Sequence, residues 1–293
     1  MTIKPGALRF NTDSMKLEIF RGSANYNGSA SMAGIGTLAA GQWEEIQATS
    51  PDVLTGGTRG LAMGGYHPSN AYLDEIVYIN MATTGNSLSF GELTVSDRNH
   101  VHSCTSDRTR GISAGGSKFP GVITADIEFV TIASTGNAID FGGNLTLARY
   151  CPGPAANSTR GIFAGGNSPT NTQTTNIDYI TIQASGEAQD FGDLTGPKRY
   201  MMGTFSSSTR GIFAGGGEPG HTTDIDFITI STQGNGADFG DLNNTSQDSK
   251  GSITSNAIRG IIMGGNNPGV TATIEYLTPV SYTHLRAHET LIY

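Results

Sequence analysis

Three side chains that could bind a metal alternate along one short segment of the chain. His100, His102 and Cys104 are two residues apart, so in a β-strand all three would face the same side. Two imidazoles and a thiol are ligands that zinc and copper accept. The chain contains a similar segment about 100 residues later, in which Met201 stands in place of His100 and Phe205 in place of Cys104. The trio is therefore not a recurring feature, and we predict a packed or solvated strand with no metal and no cofactor.

One segment matches the nucleophile motif of serine hydrolases. Gly111-Ile-Ser113-Ala-Gly115 fits G-x-S-x-G, which requires a sharp turn from a strand into a helix. No helical pattern follows, and the equivalent position elsewhere in the chain holds Phe163 or Phe213. Ser113 is therefore predicted to be an ordinary strand residue. We predict no catalytic residue and no enzymatic activity.

Charged residues recur at fixed positions about every 50 residues. An arginine opens each of five Arg-Gly segments: Arg59, Arg110, Arg160, Arg210 and Arg259. An acid recurs on the segment that follows four of them: Glu128, Asp178, Asp226 and Glu275. Because opposite charges on neighbouring strands attract each other, we predict a cross-strand ion pair in each repeat, with ligand binding as the alternative.

A second set of cations and a set of variable loops could form a binding surface. The cations lie near the start of the next repeat: Arg98, Arg149, Arg199 and Lys250. The loops that follow the Gly-Gly pairs differ in every repeat, and these loop residues are the most able to bind: Tyr66, His67, Lys118, Phe119 and His221. Constant strands with variable loops predict a scaffold that displays a recognition surface. The cations could meet an anionic glycan or phosphate, with solvated strand ends as the alternative.

All of these residues are positioned by an internal repeat of about 50 residues. Its first segment reads RGIFAGG from Arg160, and close variants start at the other four arginines. Three further short segments complete the unit, one of which carries Phe-Gly at Phe90, Phe141, Phe191 and Phe239. The segments are β-branched or aromatic, alternate with period two and are bounded by turn residues. Four short strands in each repeat predict the blade of a β-propeller.

The repeat resembles the kelch repeat, in which a strand ending in Gly-Gly precedes an aromatic strand and a further aromatic position. Residues 199–242 follow this order, with Phe239 where kelch repeats often have Trp. The resemblance covers residues 49–279 and implies an all-β fold, a kelch-like β-propeller of four-stranded blades, with four full blades and a truncated fifth. It also implies that the second set of cations begins the innermost strand of each blade, and that these strand starts and the Gly-Gly loops lie on one face.

Composition excludes several other classes of protein. The chain has 41 Gly in 293 residues and only 14% charged residues, which suits neither long helices nor charge-driven disorder. A net charge of −8 without a basic stripe argues against a nucleic-acid partner. No apolar run is long enough for a transmembrane helix, and the start has no secretory signal.

Residues 1–48 lie before the repeats and form a separate module. LRF at 8–10 and KLEIF at 16–20 flank a polar turn and predict a β-hairpin, which a Gly/Ser/Ala-rich linker separates from Trp43. This module resembles one found in tail-fibre and other virion proteins of tailed phages, through these residues: Arg9, Phe10, Asn11, Thr12, Glu18, Phe20, Gly22 and Trp43. The module and the blades together resemble a family of marine phage structural proteins.

Residues 280–293 depart from the repeat pattern. VSYTHLRAHET at 280–290 resembles the translated end of a transposon-based sequencing-library adapter, in which the incomplete last codon AC specifies Thr290. We expect this segment to be a non-native tail with no part in the fold.

The resemblance implies a non-enzymatic virion structural protein, a tail-fibre or appendage component that is assembled in the host cytoplasm. Its N-terminal module would attach it to other virion proteins or form a homotrimer. Its propeller loops would bind a host-surface glycan or another virion protein. Two alternatives remain open: a glycosidase or lyase, which needs clustered inward carboxylates, and a cellular kelch adaptor that binds protein partners.

Overall fold

A computed structural model describes twelve stretches of the chain: 7–11, 16–21, 42–45, 58–67, 71–94, 103–118, 121–197, 202–216, 222–243, 253–256, 259–264 and 273–279. The chain divides into two compact units, Met1–Pro51 and Asp52–Tyr293. All of the regular secondary structure in the described stretches is β-strand. None of these residues belongs to a helix with the length and apolar character needed to cross a membrane.

The first unit contains a three-stranded antiparallel sheet. Its strands are β1 (Leu8–Asn11), β2 (Lys16–Arg21) and β3 (Gln42–Glu45). Leu8 lies opposite Ile19 in the β1–β2 ladder, and Phe20 lies opposite Trp43 in the β2–β3 ladder. The predicted hairpin is confirmed, and the segment that contains Trp43 adds a third strand to it.

The second unit is a five-bladed β-propeller, as its repeats predict. Blade one contains β4 (Arg59–His67), β5 (Ala71–Asn80) and β6 (Leu88–Glu92). Blade two contains β7 (Ser103–Ser106), β8 (Arg110–Ala114), the short hairpin β9 (Ser117–Lys118) and β10 (Val122–Ile123), then β11 (Asp126–Thr131) and β12 (Ile139–Asn144).

The remaining blades repeat the same antiparallel order. Blade three contains β13 (Gly153–Ala156), β14 (Arg160–Ala164), β15 (Asn176–Thr181) and β16 (Gln189–Asp193). Blade four contains β17 (Gly203–Ser206), β18 (Arg210–Ala214), β19 (Asp224–Thr229) and β20 (Ala237–Asp241). Blade five contains β21 (Ile253–Ser255), β22 (Gly260–Met263) and β23 (Ile274–Leu277).

The hydrophobic core lies in the joints between consecutive blades. Ile112, Ile127 and Phe141 of blade two pack against Phe163 and Ile180 of blade three, and similar clusters fill the other three joints. A strand therefore needs apolar residues on both faces, as the alternation in β15 predicts. Each fully buried side chain of this kind contributes roughly 1.5–3 kcal/mol.

The recurring phenylalanine of each outer strand completes a joint. Its ring meets the aromatic residue of the adjacent strand edge-on, with centroids about 6 Å apart in each of four pairs: Tyr78–Phe90, Phe129–Phe141, Tyr179–Phe191 and Phe227–Phe239. This is the favoured geometry for two aromatic rings. The recurring phenylalanine therefore fills the space between neighbouring sheets.

The Gly-Gly pair ends the second strand of a blade for a conformational and a steric reason. Gly165 and Gly166 have φ values of 62° and 99°, a region in which a side chain is strained. A Cβ on Gly166 would also lie 2.9 Å from the carbonyl oxygen of Tyr150. The pair therefore lets the chain leave the strand and pass close to the start of its own blade.

Candidate functional site

A short polar turn positions the recurring arginines. Asp107 Oδ1 accepts hydrogen bonds of 2.7 Å from the backbone N–H groups of Thr109 and Arg110. Asn157 does the same for Thr159 and Arg160 in blade three, at 2.9 and 2.8 Å. Ser207 and Asn256 occupy this position in the next two blades. Asp, Asn and Ser stabilise such turns because their side chains reach the backbone two and three residues ahead.

The carboxyl group of Asp107 is held in its charged form. Burial raises the pKa of Asp107, but hydrogen bonds from the backbone of Arg110 and Thr109, and from the side chains of Gln183 and Thr109, favour the carboxylate and lower it. The net result is a pKa below the ordinary value of an aspartate. Gln183 belongs to blade three, so this turn also contacts the next blade.

Each recurring arginine stacks on an aromatic ring of its own blade, and four of the five also bond to the next blade. Its guanidinium lies 4.2–5.0 Å from the centroid of an aromatic ring on the adjacent strand, in these pairs: Arg59–Tyr78, Arg110–Phe129, Arg160–Tyr179, Arg210–Phe227 and Arg259–Tyr276. In four of them Nη1 donates to a backbone carbonyl of the following blade, at 2.7–3.1 Å: Ile132, Ile182, Ile230 and Pro279. We call this contact the arginine clamp.

The predicted cross-strand ion pair is wrong in blade three. The β14–β15 ladder places Arg160 opposite Thr181, and Asp178 opposite Phe163. The two charged residues are therefore separated by three ladder positions. Stacking on Tyr179 fixes the guanidinium, while Asp178 has partners of its own.

The recurring acids hold the preceding blade. Asp178 Oδ2 accepts a hydrogen bond of 3.0 Å from the backbone N–H of Thr146, and Asp178 Oδ1 accepts one from the Thr146 hydroxyl. Both bonds recur in the Glu128–Thr94 and Asp226–Thr195 pairs, and the backbone bond alone recurs in the Glu275–Asn243 pair. At every joint between consecutive blades, the arginine of the earlier blade therefore bonds to the later blade. The acid of the later blade in turn bonds to the earlier blade.

Arg149 is the one member of the second cation set among the described residues, and its side chain is fully buried. Nη2 lies 3.0 Å from Asp178 Oδ2 and donates to the carbonyl of Phe163 at 2.9 Å. Burial lowers the pKa of Arg149, and the Asp178 charge opposes this shift. Its side chain is not presented to solvent, so it is not available to a ligand on the surface. Arg98, Arg199 and Lys250 lie outside the described residues.

The predicted start of the innermost strand is also displaced. Inner strand β13 begins at Gly153 rather than at Arg149. Residues 149 and 150 instead lie against the Gly-Gly segments, because Gly116 N–H donates to the Arg149 carbonyl at 2.9 Å and Tyr150 forms a bridge with Asn167. Residues 149 and 150 and the loops that follow the Gly-Gly pairs at Gly115 and Gly165 therefore lie on one face, which we call the loop face.

Lys118 is the one predicted loop residue whose side chain is described. It lies on the β9–β10 hairpin and forms an ion pair of 2.7 Å with Asp126, both side chains being 37% exposed. Tyr66 and His67 end strand β4, but their side chains lie outside the described part of the chain. Phe119 and His221 fall outside it altogether.

The loop face of blade three carries a polar group that sequence reasoning missed. Asn167 Nδ2 donates to Tyr150 Oη at 2.5 Å and to Asn171 Oδ1 at 2.7 Å, and Tyr150 Oη donates to Asn171 Oδ1 at 3.2 Å. Asn171 has φ of 59°, a value that asparagine tolerates better than most residues. Two asparagines four residues apart in a Gly-Gly loop were the signal available in the sequence.

The two chemical motifs of the sequence do not form a reactive centre among the described residues. Ser113 is completely buried in the middle of β8, so the G-x-S-x-G segment is a strand, as predicted. Cys104 is an exposed free thiol at a cleft of about 270 Å³ between blades one and two, and the described residues that line this cleft include no His, Asp or Glu. His100 and His102 are not described.

The described part of the chain also holds no cluster of three His, Cys, Asp or Glu residues that would suit a metal ion. The described blades form a ring with polar groups on the loop face. No protein-family model matches the chain, and a search of curated proteins finds no match to it.

Proposed function

We propose that the protein is a non-enzymatic, kelch-like structural protein of a tailed-phage virion, and that its loop face binds a host-surface glycan. The observation that carries the proposal is that the repeated and the variable residues have different positions and contacts. The recurring arginines of blades one to four and the recurring acids Glu128, Asp178, Asp226 and Glu275 bond to neighbouring blades. The Gly-Gly loops, in contrast, differ in sequence from blade to blade.

The described loops differ in structure as well as in sequence. Blade two has the β9–β10 hairpin with its Lys118–Asp126 ion pair. Blade three closes its loop through the antiparallel Asn167–Gln173 bridge and carries the Tyr150–Asn167–Asn171 group there instead of an ion pair. A rigid scaffold with changeable loops is the usual basis of a recognition surface.

The side chains of the blade three loop suit a sugar. Asn171 and the hydroxyls of Thr170 and Thr172 are exposed and can exchange hydrogen bonds with sugar hydroxyls. Tyr150 is half-buried beside them and offers an aromatic body with a polar tip. Lys118 on the neighbouring hairpin adds a cation for an acidic sugar.

The recurring acids on the third strand of the blades do not supply the carboxylates of a glycoside hydrolase. Such an enzyme needs an acid and a base or nucleophile on either side of the scissile bond. Glu128, Asp178 and Asp226 are buried and accept hydrogen bonds from the preceding blade. A carboxylate used in this way is not available to a substrate.

The virion assignment rests on the resemblance of residues 6–23 and Trp43 to the phage module. In a virion this unit would attach the propeller to other virion proteins, or form the homotrimer. The propeller would then point its loop face towards the host.

A glycan array of bacterial surface polysaccharides, probed with the full chain, tests the binding. Tyr150→Ala and Asn171→Ala are expected to weaken binding to the best glycan at least tenfold, which corresponds to about 1.4 kcal/mol. Thr135→Ala is the matched control, because Thr135 is exposed in the turn at the opposite end of blade two. Equal binding of the glycan by all three variants would show that the loop face does not bind it.

Two other results would point to different functions. Shortening of the polysaccharide by the purified protein would favour a glycosidase or lyase. Binding to a virion protein without glycan binding would make the loop face an assembly surface. Mass spectrometry of virions from a phage that encodes the chain is expected to detect it, and its restriction to host cells would favour a cellular adaptor.

A further inference from the structure

Two polar atoms on the loop face of blade three are buried and have no hydrogen-bond partner among the described residues. They are Oδ1 of Asn167, which is an acceptor, and Nε2 of Gln173, which is a donor. Asn167 is 0% exposed, and Gln173 is half-buried. Folded proteins rarely leave such atoms unpaired, because each one has lost its bonds to water without a replacement. These two atoms therefore need a partner from outside the chain.

A short antiparallel ladder holds the two side chains next to each other. Asn167 forms a bridge with Tyr150 on one side and with Gln173 on the other. Residues that lie directly opposite each other in such a ladder project to the same face. The three side chains therefore form one row, which we call the blade three row.

The remaining hydrogen bonds of Asn167 fix the direction of its unpaired oxygen. Nδ2 donates to Tyr150 Oη at 2.5 Å and to Asn171 Oδ1 at 2.7 Å. Both protons of this amide are therefore used, and the side chain can offer a ligand only the acceptor Oδ1. Gln173 borders the solvent, so a rotation of its side chain can admit a group between the two amides.

An acceptor and a donor on neighbouring residues match a hydroxyl group. A hydroxyl can donate its proton to Asn167 Oδ1 and accept from Gln173 Nε2 at the same time. A carboxylate or phosphate oxygen only accepts, so it would leave Asn167 Oδ1 unpaired. An ammonium group only donates, so it would leave Gln173 Nε2 unpaired. The blade three row therefore favours a neutral hydroxyl over a charged group.

We propose, on the basis of the glycan binding proposed above, that the blade three row binds a neutral hexose residue of the glycan. One free hydroxyl of this sugar donates to Asn167 Oδ1 and accepts from Gln173 Nε2. The sugar ring lies against the half-buried ring of Tyr150, and its other hydroxyls meet those of Thr170 and Thr172, which are exposed.

Sugars that lack one hydroxyl test the proposal. The probes are the methyl α-glycosides of D-glucose, D-galactose and D-mannose, together with the monodeoxy analogues of each, titrated against the full chain and followed by NMR. At least one parent sugar is expected to bind saturably, and loss of one particular hydroxyl is expected to weaken its binding at least tenfold. A site built to bond a hydroxyl rejects the analogue without it, because the polar groups of the site then stay unpaired.

A protein variant shows whether this hydroxyl meets the blade three row. Gln173→Met removes the donor and keeps the length of the side chain. It is expected to bind the parent sugar at least tenfold more weakly, but to bind the deoxy analogue as well as the unaltered protein does. A purely structural role of Gln173 would weaken the binding of both sugars. Gln233→Met is the matched control, because Gln233 is exposed in the turn between β19 and β20 of blade four.

Several results would overturn the proposal. They are no binding of the three parent sugars, equal binding of every deoxy analogue, and equal losses for parent and deoxy sugar in Gln173→Met. A crystal structure of a sugar complex with a water, rather than a sugar hydroxyl, between Asn167 and Gln173 would also overturn it. If only acidic glycans on the array bind, and Tyr150→Ala weakens them, the neutral sugar is wrong but the proposed function stands. If no glycan on the array binds, both are wrong.

Discussion

Arg160 donates a hydrogen bond of 2.9 Å to the backbone carbonyl of Ile230, a residue of the next blade. The same guanidinium lies 4.6 Å from the ring centroid of Tyr179 within its own blade. One side chain therefore both caps an aromatic ring and joins two sheets. Its recurrence in the sequence is explained by the geometry of the joint rather than by a ligand.

Loss of the arginine clamp is expected to weaken a joint. Arg160→Ala removes a charged hydrogen bond and a cation–π contact, so the free energy of unfolding should fall by about 2–3 kcal/mol. Arg259→Ala is the matched control: Arg259 stacks on Tyr276 but donates no clamp bond to a carbonyl of a following blade among the described residues. It should lose about 0.5–1 kcal/mol. Denaturant unfolding measures both values, and equal losses would contradict the clamp.

The buried Arg149–Asp178 pair gives a second prediction. Asp178→Leu leaves the Arg149 charge buried without its counter-ion and removes the acceptor for Thr146, so a loss of about 3–5 kcal/mol is expected. Arg149→Met combined with Asp178→Leu removes both charges and should cost less than Asp178→Leu alone. A double-mutant cycle of unfolding free energies measures this coupling. Additive losses would show that the two charges do not depend on each other.

Close approach of two backbones gives a third prediction. A Cβ on Gly143 would lie 2.3 Å from the backbone nitrogen of Glu187 and the backbone carbon of Gly186, in blade three. Gly143→Ala must therefore separate blades two and three, which threatens the 3.1 Å hydrogen bond from Gly186 N–H to the Phe141 carbonyl. We expect a loss of about 3 kcal/mol.

Gly196→Ala provides the control for this steric effect. A Cβ on Gly196 would have no atom within 4 Å. Its effect should stay within about 0.5 kcal/mol, as for other surface substitutions. Thermal unfolding of the two variants compares them directly, and similar melting temperatures would refute the predicted clash.

The lowered pKa of Asp107 predicts part of the loss of folding stability in acid. Its pKa is lowered in the folded protein, so its carboxylate stabilises the fold above the unfolded pKa of about 3.9. That stabilisation is lost as the pH falls through the folded pKa. Asp107→Asn can keep the turn, as Asn157 does in blade three, but it cannot titrate. The parent protein should therefore lose more stability than Asp107→Asn between pH 6 and pH 3, and parallel curves would contradict this.

The sequence predicted the elements of the fold better than the partners of its side chains. Period-two alternation and the recurring Gly-Gly pairs identify the strands and the propeller, because these are local patterns. The partners of Arg160 were not predictable, since Ile230 lies 70 residues away and contacts it across a joint. Arg149 carries no local sign that it is buried, because its counter-ion, Asp178, lies far along the chain on the third strand of blade three.

The loop face shows the same limit. Lys118 was identified from its loop, but its partner Asp126 lies across the β9–β10 hairpin, which the sequence did not predict. Tyr150 was missed because it precedes the inner strand rather than following a Gly-Gly pair. A bridge to Asn167 brings it to the loop face.

The joints have a consequence for how such a chain can change over time. The clamp, the carboxylate contact and the apolar cluster each link a blade only to its immediate neighbour. Stability then approximates a sum of blade and joint contributions, as in other repeat proteins. Duplication or loss of one unit of about 50 codons would therefore preserve the chemistry of every other joint, and gene-level recombination between units could exchange loops without redesigning the ring.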